Sequence, residues 1–264
     1  MPGTGMLSEK RYENLLFLSL KVDEKDITAY VDTGAGLTFL KESLAGALNI
    51  RKESESKAGN NQGEVLPFGM GVLKEFDFLG FKILDLSVGI LPDEALVFPE
   101  DTYGNFFPGE MILGYDVLSQ FSLDLNLKYR KITVSRTGML KEGITLVEGP
   151  LPMFHVEVQG KQELFGLDTG HTETMLSGAF YPLGANQKEE VEILSGIGTS
   201  SEEPMKNLPE FIVKIGREVR VLKEVSVYPR KLHGLPQLSG LFGMDLIEGD
   251  GVILDHINKR ISFY

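Results

Sequence analysis

Two copies of the triplet Asp-Thr-Gly are the residues of this chain whose types and spacing could do chemistry. Asp32-Thr33-Gly34 and Asp168-Thr169-Gly170 lie 136 residues apart, one in each half of the 264-residue chain. Each triplet ends an apolar run, Ala29-Tyr30-Val31 in the first half and Phe165-Gly166-Leu167 in the second. Two carboxylates brought face to face cannot both ionise, so the pair shares one proton and can activate a water molecule. The triplets therefore predict hydrolytic chemistry if the fold brings them together.

An internal repeat gives the two triplets equivalent positions. Each follows an apolar segment and a polar turn, over Leu18 to Asp32 and Phe154 to Asp168, a pattern that predicts a hairpin. Downstream, Ile112–Leu118 parallels Leu241–Ile247, and a closing hairpin follows each segment. Elements that recur in one order indicate duplication of a single unit.

The elements that must position the triplets are predicted to be mainly β. Short apolar runs and frequent glycine turns favour strands, with one short helix over Lys41 to Leu48 and another after Gly114. We expect an N-terminal lobe over residues 1–140 and a C-terminal lobe over 153–264. Residues 141–152, with their Gly and Pro residues, are predicted to form the inter-lobe linker.

Composition excludes several classes of function. A net charge of −12 repels phosphate backbones, so we expect no nucleic-acid partner. The chain has no cysteine, and its four histidines lack metal-ligand spacing, so no metal site is expected. No apolar run approaches the roughly 20 residues that span a bilayer. The run from Leu15 to Leu20 is predicted to be a strand, and a secreted, periplasmic or cytoplasmic location stays open.

Together these motifs resemble the aspartic peptidases. Asp32-Thr33-Gly34-Ala35 and Ile112–Leu118 are similar to the retroviral, or retropepsin, type, and the segment from Lys41 to Ala45 resembles bacterial retropepsin-like proteins. The resemblance extends from Leu15 to Phe263. It implies a bilobal acid-protease fold made of two retropepsin-like β-barrel lobes with short helices, fused in one chain that acts as a monomer.

The resemblance also implies roles for the residues of both triplets. Asp32 and Asp168 would form the catalytic dyad of an aspartic endopeptidase, with no metal or cofactor. Thr33 and Thr169 would exchange hydrogen bonds across the lobe interface. The remaining supporting loop residues would be Gly34, Ala35, Gly170 and His171.

Two glycine-rich segments are expected to be flaps that close over an extended peptide or protein substrate. Gly59 follows Asp32 by 27 residues, and Gly196 follows Asp168 by 28 residues. The predicted flap and substrate residues are Gly59, Asn60, Gly63, Gly196, Ile197 and Gly198. The alternative is that these glycines form ordinary hairpin turns.

His171 departs from the family pattern, because Ala, Ser or Thr usually follows the triplet. One hypothesis is that a protonated His171 lowers the apparent pKa of the dyad and narrows the active pH range. In the alternative, the ring points away into solvent or packing. The segment Pro92 to Gly109 has no counterpart in the second half, and it borders the cleft, covers a lobe edge or packs as a plain loop.

Two other functions stay open beside the peptidase. One is a homologue that binds peptides in the cleft without cutting them, and the other is a structural or regulatory β protein. Intact triplets in both halves favour the enzyme, since a binding role would not require both carboxylates.

Overall fold

The computed structural model describes residues 1–59, 65–184, 187–247 and 251–264, and over these ranges the protein is mainly β as predicted. The first half of the described chain holds ten strands: β1 (Gly3–Met6), β2 (Phe17–Val22), β3 (Lys25–Val31), β4 (Phe39–Lys41), β5 (Ser54–Gly59), β6 (Val65–Phe78), β7 (Phe81–Leu91), β8 (Met111–Leu113), β9 (Ser122–Asn126) and β10 (Lys131–Ser135). The second half of the same ranges holds ten more: β11 (Ile144–Val147), β12 (Met153–Val158), β13 (Lys161–Leu167), β14 (Met175–Leu176), β15 (Glu189–Gly196), β16 (Thr199–Ile215), β17 (Glu218–Val227), β18 (Gly240–Phe242), β19 (Gly251–Asp255) and β20 (Arg260–Phe263).

The helices are short, and they include both of those predicted. The two α-helices of the described ranges are α1 (Glu42–Ala47) and α2 (Tyr115–Leu118), and 3-10 turns cover Asp93–Leu96, Gly178–Gly184 and Met244–Leu246. None of the helices in the described ranges has the length and apolar character needed to cross a membrane.

The strand order within each half confirms the repeat. In the first half the order is β2-β3-β8-β4-β7-β6-β5, and in the second it is β12-β13-β18-β14-β17-β16-β15. In both halves the strand that precedes the triplet pairs in parallel with the strand of the apolar-apolar-Gly segment, β3 with β8 and β13 with β18. Because parallel neighbours end at the same edge of a sheet, each triplet lies beside the glycine of its own segment.

Six strands join the halves in the order β1-β10-β9-β19-β20-β11, three from each half, and they continue from β11 into β12 as one end of a 13-stranded sheet. The central pair of these six strands is β9 with β19, in which Leu123 lies opposite Leu254 and Leu125 opposite Val252. These four side chains are fully buried. The main apolar core therefore continues from one half into the other through this sheet.

The segment 141–152, predicted as a linker, contributes a strand to that sheet. Strand β11 pairs with β20 at Ile144 and Ile261, and with β12 at Val147 and Met153. Leu146 is buried, so the apolar alternation of this segment forms a strand even though Gly and Pro residues flank it. The lobe boundaries themselves remain a prediction.

Candidate active site

Parallel strand pairs place both aspartates at the ends of buried strands. The Asp32 amide donates to the Leu113 carbonyl at 3.1 Å, and the Asp168 amide donates to the Phe242 carbonyl at 2.9 Å. Both aspartates are buried, with only 6% and 7% of their surface exposed. Each carboxyl group therefore follows a rigid strand and is held by the apolar-apolar-Gly strand beside it.

Four hydrogen bonds between Thr33 and Thr169 and their neighbours lock the two loops together. The Thr33 hydroxyl donates to the Leu167 carbonyl at 2.8 Å, and the Thr169 hydroxyl donates to the Val31 carbonyl at 2.8 Å. Each hydroxyl also accepts the opposite backbone amide, Thr169 N at 3.0 Å and Thr33 N at 3.1 Å. Both threonines are fully buried, so no water competes for these bonds.

The glycines of the triplets lie against the carboxyl groups of the opposite loops. A Cβ atom added at Gly34 would be 2.3 Å from Asp168 Oδ2, and one added at Gly170 would be 2.4 Å from Asp32 Oδ1. Each loop therefore passes directly beside the carboxyl group of the other loop. This crossing brings Asp32 and Asp168 together, although they are far apart in the sequence.

Backbone amides support the carboxyl groups unequally. Asp32 Oδ1 accepts the amides of Gly34 at 2.8 Å and Ala35 at 2.9 Å. Asp168 Oδ1 accepts the Gly170 amide at 2.8 Å, whereas the His171 amide donates to the Asp168 backbone carbonyl at 3.1 Å. The two carboxyl groups therefore have different surroundings, because the amide after the first triplet bonds to the Asp32 side chain and the amide after the second bonds to the Asp168 backbone.

Burial raises the pKa of both aspartates. For Asp32, burial is the largest cause, followed by the charge of Asp168, and together they outweigh the Gly34 and Ala35 amides that favour the ionised form. For Asp168, burial raises the pKa against the opposing hydrogen bonds from the Gly170 amide and from Asp32. The charge of Asp168 raises the pKa of Asp32, and two carboxyl groups that interact in this way titrate as one unit. One shared proton therefore persists to a higher pH than on an isolated carboxyl group.

A threonine and an aspartate form a hydrogen bond behind each Asp-Thr-Gly loop, and the sequence analysis missed both pairs. The Thr38 hydroxyl accepts the Gly114 amide at 3.1 Å and donates to Asp116 at 2.7 Å. In the second half the Thr174 hydroxyl donates to Asp245 at 2.8 Å. Thr38 and Thr174 each lie six residues after the aspartate of their triplet, so the repeat carried a signal that could have found them.

The His171 ring is turned toward its own loop. Its Nδ1 lies 2.6 Å from the backbone carbonyl of Glu173, an acceptor that requires Nδ1 to donate. This geometry favours the alternative in which the ring points away from the dyad. The residues that follow the two triplets make equivalent backbone hydrogen bonds. The Ala35 carbonyl accepts the Tyr115 amide at 2.7 Å, and the His171 carbonyl accepts the Met244 amide at 2.8 Å.

The predicted flap of the first half is described only in part. Gly59 is the last residue of β5, where it pairs with Val65 of β6. Asn60 and Gly63, the other two flap residues predicted there, lie outside the described residues.

The predicted flap of the second half reaches the first half. Gly196 ends β15, and Ile197 and Gly198 form the turn to β16, with Gly198 at a φ of +65°. The Gly198 amide donates to the Ala95 carbonyl at 2.8 Å, and Ile197 packs against an apolar cluster of the first half that includes Tyr30, Phe39 and Leu96. The tip of this hairpin therefore rests on the opposite half of the molecule.

The segment Pro92 to Gly109 has two roles in packing. It supplies Ala95 to the second hairpin tip, and it buries Phe107 against Tyr12, Phe17 and Tyr30. Its Asp101 carboxylate accepts the Glu13 amide at 2.9 Å, so the segment is tied to the chain that precedes β2.

Comparison with known proteins agrees with this geometry. Residues 18–120 match the family model described as gag-polyprotein putative aspartyl protease. Over these residues the first half is similar to retropepsin-like aspartyl proteases. The match supports a protease-type function at a coarse level. The match ends before β9, and the second half shares the strand order of the first half, as described above.

Two human proteins are similar to this chain. Protein DDI1 homolog 1 is 25% identical over 161 residues, which cover 60% of this chain and 37% of that protein. Protein DDI1 homolog 2 is 24% identical over 138 residues, which cover 52% of this chain and 31% of that protein. The matched region spans about a third of the length of these curated relatives.

Proposed function

We propose that this chain is an aspartic endopeptidase in which Asp32 and Asp168 activate one water molecule between them. The observation that carries the proposal is the crossing of the two loops, which places each buried carboxyl group against the glycine of the opposite triplet. Both carboxyl groups come from one chain, so we further propose that a single molecule forms a complete site.

The raised pKa values supply the two forms that the reaction needs. The ionised member of the pair takes a proton from the bound water, and the resulting hydroxide attacks the peptide carbonyl. The protonated member donates a hydrogen bond to the developing oxyanion and then transfers its proton toward the leaving amine. The side chains of Asp32 and Asp168 supply the base and the acid for both steps. The amides of Gly34, Ala35 and Gly170 hold these side chains in place.

The proposed substrate is a peptide in extended conformation that lies between the halves. The second hairpin tip supports this placement, because Ile197 packs on the buried apolar cluster of the first half, against which Leu37 and Leu66 also pack. A substrate side chain of similar character could make the same contacts. We therefore expect cleavage next to apolar residues.

A mixed peptide library incubated with the wild type, Asp32→Asn and Asp168→Asn tests the proposal. Each variant keeps the shape of the side chain but removes the acid–base pair, so we expect the cleavage rate to fall at least about a hundredfold. Asp85→Asn is the matched control, because Asp85 is an exposed carboxylate paired with Lys74. A wild type that cuts nothing, or either dyad variant cutting as fast as wild type, would show that the peptidase proposal is wrong.

The alternative is a homologue that binds peptides without cutting them. It predicts peptides that bind the wild type and are recovered intact. Measuring binding and cleavage in the same incubation separates the two functions.

A further inference from the structure

Tyr30 makes a hydrogen bond from the first half to the catalytic loop of the second half. It lies on β3, two residues before Asp32, and only 5% of its surface is exposed. Its hydroxyl donates to the Gly170 carbonyl at 2.7 Å. The phenol therefore reaches the glycine that supports Asp168, although it belongs to the strand that carries Asp32.

Aromatic neighbours fix the position of the Tyr30 ring. Phe17 stacks on it with ring centroids 5.5 Å apart, and Phe107 meets it edge-on at 5.3 Å. A ring packed on two sides loses little further freedom when its hydroxyl forms a hydrogen bond, so the donor is already oriented. Phe107 comes from the segment Pro92 to Gly109, which gives that segment a connection to the catalytic loop.

The second half has no equivalent donor at this position. Gly166 stands two residues before Asp168, where Tyr30 stands before Asp32. A Cβ atom at Gly166 would lie 2.6 Å from Leu151 and 2.9 Å from Leu241, so neighbouring leucines fill the space. The support from Tyr30 is therefore one-sided.

We propose that Tyr30 is a positioning residue that holds Gly170 and, through it, the geometry of the dyad. The Gly170 amide donates to Asp168 Oδ1 at 2.8 Å, and the Gly170 Cα faces Asp32 Oδ1. A shift of Gly170 thus changes the surroundings of both carboxyl groups. The catalytic part of this inference rests on the proposed peptidase function, whereas the positioning of the loop does not.

The Tyr30 hydroxyl keeps its proton over the working range of an acid–base dyad. Burial raises its pKa well above the ordinary value, and the charges of Asp32 and Asp168 raise it further. The hydroxyl therefore remains a donor at acidic and neutral pH. Only a substitution can remove the bond.

The test compares Tyr30→Phe with Tyr228→Phe. Tyr228 is equally buried, and its hydroxyl accepts a hydrogen bond from Arg230 Nε at 2.8 Å, far along the chain from both triplets. Each substitution deletes one buried phenolic hydroxyl, so a general loss of stability affects both variants. The measurements are kcat, KM, the pH–rate profile and the amide hydrogen exchange of Gly170 and His171.

For Tyr30→Phe we expect kcat to fall about tenfold with KM changed less than threefold, and Gly170 exchange to accelerate about tenfold. The pH–rate profile should move to higher pH, because a loosened Gly170 amide stabilises ionised Asp168 less well. Tyr228→Phe should leave all four measurements within twofold of wild type.

Unchanged exchange at Gly170 and His171 in Tyr30→Phe would overturn the inference, whatever the activity. If the wild type cleaves nothing, the peptidase proposal fails, and the exchange data still decide whether Tyr30 holds the loop. If Tyr30→Phe does not fold, Tyr30→Met removes the same donor from a similar volume, and the same criterion applies to its exchange rates.

Discussion

At the scale of single residues, the strictest requirement at the site is steric and falls on the glycines of the triplets. Replacing Gly34 with Ala places a methyl group 2.3 Å from Asp168 Oδ2, so one of the loops must move. We expect Gly34→Ala to lower activity at least a hundredfold and to cost about 1–3 kcal/mol of unfolding free energy, as overpacked sites do. Cleavage assays and urea denaturation measure both effects.

Gly36→Ala is the matched control, since an added Cβ there meets nothing within 4 Å. It lies two residues along the same loop. Wild-type activity in Gly34→Ala would contradict the crossing of the loops, and a comparable loss in Gly36→Ala would make the effect a general property of this loop.

The dyad also predicts how stability depends on pH. A carboxyl group whose pKa is raised in the folded state keeps its proton while the unfolded chain has already ionised, so stability is greatest below the ordinary value of 3.8 and falls as pH rises toward the raised pKa. Asp32→Asn removes the ionisable group, and with it the loss of stability at higher pH. We expect its melting temperature to exceed that of wild type by an amount that grows from pH 4 to pH 8, measured by thermal denaturation.

Asp85→Asn, the same substitution at an exposed site, is the control. A constant difference between Asp32→Asn and wild type across this range would mean that Asp32 titrates like a free carboxyl group.

The residues of the dyad could be predicted from the sequence, because the triplet itself is a local pattern. Although the repeat points to Thr38, the contacts that Tyr30 and Thr38 make could not be predicted in that way. Their partners Gly170 and Asp116 lie 140 and 78 residues away, and only the strand order brings them into contact. The hypothesis for His171 rested on the charge of the ring. The structure places the ring on a nearby backbone acceptor, the carbonyl of Glu173.

At the scale of elements, a single carboxylate organises the turn between β19 and β20. Asp255 is fully buried and accepts the Ser122 hydroxyl at 2.6 Å and the amides of Met139 and Leu140, both at 2.7 Å. It thereby joins β9, the chain after β10 and the closing hairpin of the second half. Burial alone would raise its pKa, but these hydrogen bonds, with another from the Asn258 amide, hold the pKa below its ordinary value.

We expect Asp255→Asn to destabilise the protein by about 1–3 kcal/mol at neutral pH, because the new NH₂ group faces amides that also donate. The sign of the pH effect is opposite to that at the dyad. A depressed pKa contributes stability above the unfolded value, and this contribution is lost as pH falls through the folded value. The difference from wild type in urea denaturation should therefore shrink in acid.

An Asp255→Asn penalty that stays constant down to the lowest pH would contradict this account. Asp124→Asn is a useful comparison, because Asp124 lies in the same sheet and bonds to the Tyr264 hydroxyl, near the surface. Asp124→Asn should lower the free energy of unfolding by less than Asp255→Asn does.

The sequence predicts elements at this scale where the pattern is local, and it does not predict contacts that a distant partner determines. The helix α1 lies within the predicted Lys41 to Leu48, since its apolar face is visible in the sequence. Strand β11 lies within the segment predicted as a linker, and its pairing with β20, more than 100 residues away, is not visible in a local pattern. The second hairpin tip is predicted to close over the substrate. Its hydrogen bond from the Gly198 amide to the Ala95 carbonyl is visible only in the three-dimensional structure.

At the scale of the whole molecule, the two halves are related as duplicated units that meet in a shared sheet. Each contributes three strands, and the Thr33 and Thr169 hydrogen bonds add a second connection at the site. These contacts do not depend on the peptide bonds that join the halves. The connection near Lys141 and Glu142 is exposed, so it can be opened without disturbing the buried interface.

A chain cut at a protease site inserted between Lys141 and Glu142 should therefore remain a one-to-one complex of its two fragments. We expect the fragments to elute together in size-exclusion chromatography at micromolar concentration and to keep whatever cleavage activity the intact chain has. Leu125→Asp in the same nicked chain puts a charge opposite Val252 in the buried β9–β19 pair, so those fragments should separate. Separation of the nicked chain without this substitution would mean that the covalent connection, rather than the shared sheet, holds Asp32 against Asp168.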